Sequence, residues 1–468
     1  MTKINRILIA LILISSLVLS IGYSAINNIT LDIKGKAVAI PTTRILVAGE
    51  EFNKILKDST DVTHVNNTIT KIVFDYWENG YSENGVDVFN ESDWNKGTPI
   101  DVDGLGGIKL FKSEDGTKAY ILSETDIYAN SNCTSMFRCF KSVTQFVFKN
   151  FDTTKVNNMH SLFRNCESIK TLDLSNFNTS KVTTMHSIFR DCTSITSLNI
   201  SSFNTSKVTN MAYMFNNLQS ITTLDVSMLN TSNVTNMHDM FADCTNLTSL
   251  DISTLKTSKV TNMSAMFCNL HSITTLDVSM LDTSNVTNMG AMFYRCEKLT
   301  SLDLSNFDTS NVTIMDSMFQ YTISLTSLDL SNFNTSKVWI MQAMFGQMFS
   351  LKYLNISSFD TSNVTDMNYM FIYDKELTSL DLSNFDTKKV TTMQEMFEDL
   401  HSIKTIYVSD KWTTAAVTNS NDMFVNALKI VGGNGTTYDS NFIDKTYARI
   451  DGGPDSETPG YFTFKATN

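Results

Sequence analysis

The chain has 468 residues, room for roughly two or three ordinary domains, and its 42% apolar and 18% charged content excludes both a disordered chain and one wholly embedded in a membrane. A net charge of −12 argues against nucleic acid as a partner, because binding phosphates needs a basic face. Met and Phe are abundant and mostly recur at fixed intervals, so a repeat accounts for the excess.

Residues 1–25 read as a targeting segment. Lys3 and Arg6 precede an apolar run from Ile7 to Ile21, followed by Gly22-Tyr23-Ser24-Ala25, the layout of a secretory signal or a signal anchor. Tyr23 is large for a residue three before a cleavage site, and an uncleaved run of about 17 residues just spans a bilayer. Either way the bulk of the chain is exported, to the cell surface or beyond it, and touches the membrane only through this segment. Residues 26–106 carry no repeat and form an N-terminal region, either a small separate domain or a stalk. Within it Thr68-Ile69-Thr70-Lys71-Ile72-Val73-Phe74 alternates like a strand. Residues 107–145 contain Gly107–Phe111 and Ala119–Leu122 around Glu114-Asp115-Gly116, a hairpin signal, and read as a β-rich N-terminal cap.

Residues 146–431 are built from about eleven copies of a 26-residue unit. Leu172, Leu198, Leu224 and their successors to Leu380 are each 26 apart, with no insertion before Thr405. A fixed period of this size means a solenoid, in which each unit leans on its neighbours. In residues 169–194, Leu172 and Leu174 alternate with Thr171, Asp173 and Ser175, which predicts a short strand with leucines inward. Asn178-Thr179-Ser180 turns the chain and offers a helix N-cap. Val182, Met185, Ile188, Phe189 and Cys192 then recur at helical spacing, which predicts a short helix. The expected fold is therefore an α/β solenoid, a right-handed array of strand–turn–short helix coils on the leucine-rich-repeat plan, closed by a C-terminal cap at residues 432–468. Cys166, Cys192, Cys244 and Cys296 share a column with Phe140, Leu218, Leu270 and Leu400, so they read as buried thiols. Cys133 and Cys139 lie off that column and could pair; Cys268 reads as free.

The repeats resemble those of the BspA-like leucine-rich-repeat surface proteins of bacteria, which read close to LxxLDLSxFxTSxVTxMxxMFxxC. Phe385-Asp386-Thr387 with Val390, Met393, Met396 and Phe397 is one instance, and the resemblance covers roughly residues 107–468. Asn132–Phe137 and Val431–Thr436 resemble that family's end caps. Trp339 replaces the usual Thr, and the units at Tyr321, Met348 and Asp374 lack the terminal Cys. The resemblance implies a cell-surface or secreted protein of the adhesin type that binds host or neighbouring-cell macromolecules, a protein or glycan, without a cofactor.

Outward strand positions form an acidic column of Asp173, Asp225, Asp251, Asp277, Asp303, Asp329 and Asp381, with Asn199 and Asn355 between them and a serine column beside it. Neighbouring members stand about 4.8 Å apart on parallel strands, so their repulsion needs compensation. This column is the candidate ligand-binding surface, expected on a concave face; its alternative is a soluble, strand-tolerant surface whose hydroxyls bond the carboxylates. An aromatic patch of Trp339, Tyr369 and Tyr373 is the rival site. His160, His186 and His238 share a column with Ala212, Ser264 and Gly290, a poor pattern for a metal site. No GxSxG, HExxH or phosphate-cradling loop occurs, and no catalytic residue is nominated. Two functions fit the sequence: an adhesion or interaction protein presenting an extended repeat face, or a structural spacer with no ligand of its own.

Overall fold

The structure, a computed structural model, describes residues 29–31, 37–39 and 44–466; the targeting segment read at residues 1–25 lies outside them. A five-stranded sheet opens the fold, in the order Thr98–Pro99, Lys109–Lys112, Lys118–Ser123, Lys71–Tyr76 and Gln145–Phe148. The expected hairpin is present, Lys109–Lys112 pairing antiparallel with Lys118–Ser123. Lys71–Tyr76 lies parallel to Gln145–Phe148 and so stands where the strand of a preceding coil would. Its Ile72 and Phe74 join the core of the array, while Val73 faces a second cluster with Trp77, Tyr81, Phe111 and Tyr120. A hairpin, Gly80–Glu83 with Val86–Asn90, supplies Tyr81 to that cluster. Its two-residue turn, Asn84-Gly85, has φ 54 and 80, the left-handed pair a type I′ turn requires. Within residues 26–106, open in the sequence to a reading as a small separate domain or stalk, residues 44–106 contribute strands to the cap's sheet and side chains both to the core of the array and to the second cluster.

The helix Gly49–Lys57 closes the open end of the array. Phe52 and Leu56, four residues apart, put one face into the core, with Phe52 against Phe74 and Phe137. Glu50 and Glu51 in its first turn and Lys54 and Lys57 in its last suit the helix dipole. The first coil has carbonyls that no earlier coil can serve. Asn53 Nδ2 donates to the carbonyls of Ser135 and Met136 at 2.8 and 3.2 Å, and Gly49 N to that of Asn132 at 2.9 Å. Lys57 Nζ reaches the carbonyl of Val62, and burial holds its ammonium down at about 8.

Each coil has two sides. On one, short parallel strands pair in register, Leu172 beside Leu198 and Leu328 beside Leu354. On the other, the segment expected to be helical is not a helix. Met185–Ile188 and Phe189–Cys192 are successive β-turns, closed by Ile188 N to Met185 O and Cys192 N to Phe189 O, both 3.2 Å. Their third residues, Ser187 and Asp191, have φ 57 and 64, as type II turns require. Alternate amides point along the array instead: Ser187 N, Phe189 N and Asp191 N donate to the carbonyls of Ala212, Met214 and Asn216. Spacing explains the change. Helices need about 8–10 Å between axes, whereas coils bonded through their backbones stack at about 4.8 Å. The strand face was expected to be concave opposite a row of helices, and those helices are absent from the described residues.

The buried columns follow the repeat. Phe137, Phe163, Phe189 and onward to Phe397 stack at every coil, with ring centroids 5.3–6.0 Å apart. The Thr of each Asn/Asp-Thr-Ser corner is buried and ties two coils together. Thr179 Oγ1 donates to Asn204 O at 2.9 Å and accepts from Asn204 N at 2.8 Å. Asn178 Oδ1 accepts from Ser180 N at 3.0 Å, so the corner is an Asx turn rather than a helix cap. All seven cysteines are unpaired, Cys133 and Cys139 included, and the thiols of the core column donate to a carbonyl of the preceding coil, as Cys192 Sγ does to Phe163 O at 3.1 Å. At the far end Phe462–Phe464 adds a parallel strand beside Thr405–Val408, and Trp412 Nε1 bonds Ala448 O at 2.9 Å.

Candidate interaction faces

The acidic column lies on the strand side, exposed except at half-buried Asp381. Each carboxylate has the same partner, the amide of the Ser two residues on. Asp277 Oδ1 accepts from Ser279 N at 2.9 Å, and Asp173, Asp225, Asp251, Asp303, Asp329 and Asp381 repeat the bond at 2.9–3.0 Å. The compensation that stacked carboxylates need therefore comes chiefly from inside each coil. Hydrogen bonds from the Ser279 hydroxyl and amide hold Asp277 below the usual carboxylate range, against the smaller upward push of Asp251 and Asp303. Asp173, Asp225, Asp251 and Asp303 are lowered by the same serine bonds. Burial raises Asp381, but its ion pair with Lys465 and its bonds from Ser383 leave it lowered. Between coils, Asn199 Nδ2 donates to Asp173 Oδ1 at 2.9 Å.

The residue before each strand-side Phe or Leu also matters. Asn306 Nδ2 reaches back to the carbonyls of Ser279 and Leu281 at 2.9 and 3.1 Å, and Asn332, Ser358 and Asn384 bridge their preceding coils likewise. Met228 and Met280 hold this position in mid-array and have no donor to offer. Met280 is 61% exposed and, with Leu250, Ile252, Asp251 and Asp277, lines a cleft of about 320 Å³. The substitution of Met for Asn in this column was the signal for the cleft. A larger cleft, about 910 Å³, opens in the N-terminal part among Ile55, Val88, Phe89, Leu110 and Phe111 under a rim that includes Asp58 and Lys112. Nothing periodic marked it.

The rival aromatic residues do not form one stacked patch. Trp339 is 46% exposed and lies on the corner column where other coils carry Thr. There Thr313 Oγ1 donates to Thr287 O at 3.1 Å, a bond Trp339 cannot make. Tyr369 and Tyr373 stand at the left-handed positions of the turn side, with φ 60 and 62. Among the described residues no ring contact joins Trp339 to either. His160 and His186 stack at 4.7 Å, and His238 bonds Tyr213 and Ser264, each at 2.7 Å.

Segments 131–250, 197–275, 243–352 and 324–437 match the family model described as "Mycoplasma protein of unknown function, DUF285", and the chain belongs to that family. No curated protein matches the chain. Among solved structures it is similar to a leucine-rich repeat protein from Eubacterium ventriosum, with 16% identity and TM-score 0.31, over 61% of this chain and 83% of that one. It is also similar to the Drosophila Toll–Spatzle complex, with 16% identity and TM-score 0.24 over 65% and 39%, and to the functional domain of InlJ from Listeria monocytogenes, with 13% identity and TM-score 0.17 over 69% and 72%. Among the described residues no helix is long and apolar enough to cross a membrane.

Proposed function

We propose that this is an exported, non-enzymatic interaction protein of the BspA-like adhesin type, whose array presents the strand face to a protein or glycan on a host or neighbouring cell. In this reading residues 1–25 export or anchor the chain, residues 44–145 seal one end of the array and residues 432–468 the other. The observation that carries the reading is the mid-array cleft. There the asparagine bridge gives way to an exposed Met280 between Asp251 and Asp277, an apolar floor with a charged rim. A partner with a basic or amide-rich edge and an apolar side chain suits it. The test is a binding screen of the exported chain against extracellular-matrix proteins and a glycan array. Hits are repeated with Met280→Asn, which restores the usual bridging residue, and with Asp251→Asn plus Asp277→Asn, which keep the turn bond and remove the charge. Loss of a saturable hit in both variants supports this face; a hit indifferent to both removes it.

A specific observation also favours the spacer reading. Every carboxylate of the column caps its own turn, so the column has a structural use without any ligand. A spacer tolerates these variants and responds to deletion of whole 26-residue units.

A further inference from the structure

The turn side of the array carries like charges at its two ends. Arg138, Arg164 and Arg190 hold one position in three successive coils, and the ladder keeps them in register, Cys139 N donating to Arg164 O and Asn165 N to Arg190 O. Their neighbours along the array are about 4.8 Å away. The Nε atoms of all three are buried without a hydrogen-bond partner. Asp191 stands beside two of them, 3.6 Å from Arg164 Nε and 3.5 Å from Arg190 Nε. Eight coils on, the same position is Glu398, whose carbonyl accepts from Tyr373 N. Glu395, Asp399 and Asp422 surround it, and burial followed by these carboxylates pushes Glu398 up to about 7. Arg164 is pushed down by burial and then by Arg190 and Arg138. Among the described residues Asp191 offsets only part of the arginine charge, and His401, with Nε2 3.2 Å from Asp399, stands beside the carboxylates, so each end keeps an excess of its own sign. Between Arg190 and Glu398 this column is uncharged, from Asn216 to Ile372, while the adjoining columns carry Asp239, Asp243, Arg295 and Asp316.

We infer that this face pairs with the same face of a second copy of the chain, the two arrays antiparallel, so that the arginine end of each copy meets the carboxylate end of the other. A two-fold axis sets one patch against itself and reverses the order of coils. Arg164 lies in the second coil from one end of the turn ladder and Glu398 in the second coil from the other, so reversal exchanges them. An acidic polymer bound along the arginines would leave the carboxylate end unrelieved, whereas a second copy relieves both. The uncharged middle of the column, with Cys268, Tyr294 and Gly346, lets two such faces approach.

Sedimentation velocity of the full chain at micromolar concentration tests this. The expected result is a dimer at low salt that dissociates as salt screens the contacts. Arg164→Glu with Arg190→Glu makes both ends acidic, and Glu395→Arg with Glu398→Arg makes both basic. Each variant alone, shown folded by circular dichroism, is expected to dimerise about tenfold or more weakly. An equimolar mixture of the two is expected to form a heterodimer, which a merely damaged fold cannot do. Three results overturn the inference: a monomer at every salt and concentration, association indifferent to the reversals (as clustering through the apolar N-terminal run would be), or a monomer whose arginines bind heparin.

Discussion

The strand side and the turn side of this array are held together differently. Strand pairing is interrupted: the paired strands stop at Asn199 and resume at Ser327, with one bridge, Thr223 to Ser249, between them. The ladder of bridges that leads into the turn side is unbroken from Asn132 to Asn419. Behind it lie the stacked phenylalanines and, at the corner, the buried threonines. Cohesion thus rests on the turn side and the corner, and the strand side is free to vary at its outward positions without loosening the stack. Substitutions in the cohesive part and substitutions on the strand face should therefore differ sharply in cost.

Phe293→Ala should have the largest effect. Phe293 is fully buried, with Phe267 at 5.8 Å on one side and Phe319 at 5.9 Å on the other. Removing it opens a cavity in mid-stack and should cost about 3–5 kcal/mol in urea unfolding. Thr283→Val comes next. Its hydroxyl donates to Asp308 O at 3.0 Å and accepts from Asp308 N at 2.8 Å. Valine keeps the shape and leaves the half-buried amide and carbonyl of Asp308 without this partner, a loss of about 1–3 kcal/mol. Thr283→Ser retains the hydroxyl and should lose distinctly less. Equal losses from Val and Ser would show that the methyl group, not the hydroxyl, ties the coils.

Asp374 points the other way. It is fully buried in the column that elsewhere holds Phe, Cys, Leu, Thr or Met, and burial pushes its carboxyl well above the usual range, against a 2.8 Å bond from Met348 N. In the unfolded chain the same group ionises near pH 4. Above that pH unfolding is favoured, because only the unfolded state can shed the proton freely. Stability attached to Asp374 is therefore whole below about pH 4 and declines as pH rises toward the folded-state value. Asp374→Asn keeps the acceptor for Met348 N and cannot ionise. It should raise stability by about 1 kcal/mol or more at pH 7 and by little at pH 4. Melting curves at the two pH values check this; an equal shift at both would place the effect in packing rather than ionisation.

The repeat, its inward columns and the outward acidic column were all legible, because period and alternation survive in side-chain type alone. The helix was not. Met185, Ile188, Phe189 and Cys192 fit a 3.6-residue period and two four-residue turns equally well over so short a span, and the turns here use Ser187 and Asp191 rather than glycine at their left-handed positions. The coil spacing decides between them, and spacing belongs to the stack rather than to one unit. Residues 44–106 were obscure for a related reason. The helix Gly49–Lys57 has no side-chain cap at Ala48 and draws its stability from the coil it covers. Besides the alternation of Thr68–Phe74, Asn84-Gly85, a hairpin turn type, is a local signal there. At the acidic column the side was legible but not the partner. Serine hydroxyls were expected along the ladder, and the main bond runs to the amide two residues ahead.

That bond predicts the smallest effect. Asp277 sits on open surface and makes its contact within one turn. Asn199 and Asn355 already fill the same role, accepting from Ser201 N and Ser357 N at 3.2 Å. Asp277→Asn should therefore leave the melting temperature nearly unchanged at pH 7, while Asp277→Ala, which removes the acceptor, should lower it slightly. Because the folded-state carboxyl is lowered, its contribution is present above the unfolded value near pH 4 and fades as pH falls through the folded one. The Ala deficit should therefore shrink in acid, and a deficit that persists there would mean the carboxylate was not what held the turn. Asn retains the turn and discards the charge, so any ligand lost on Asp277→Asn is lost through charge alone. That separates a strand face that binds from one that merely folds.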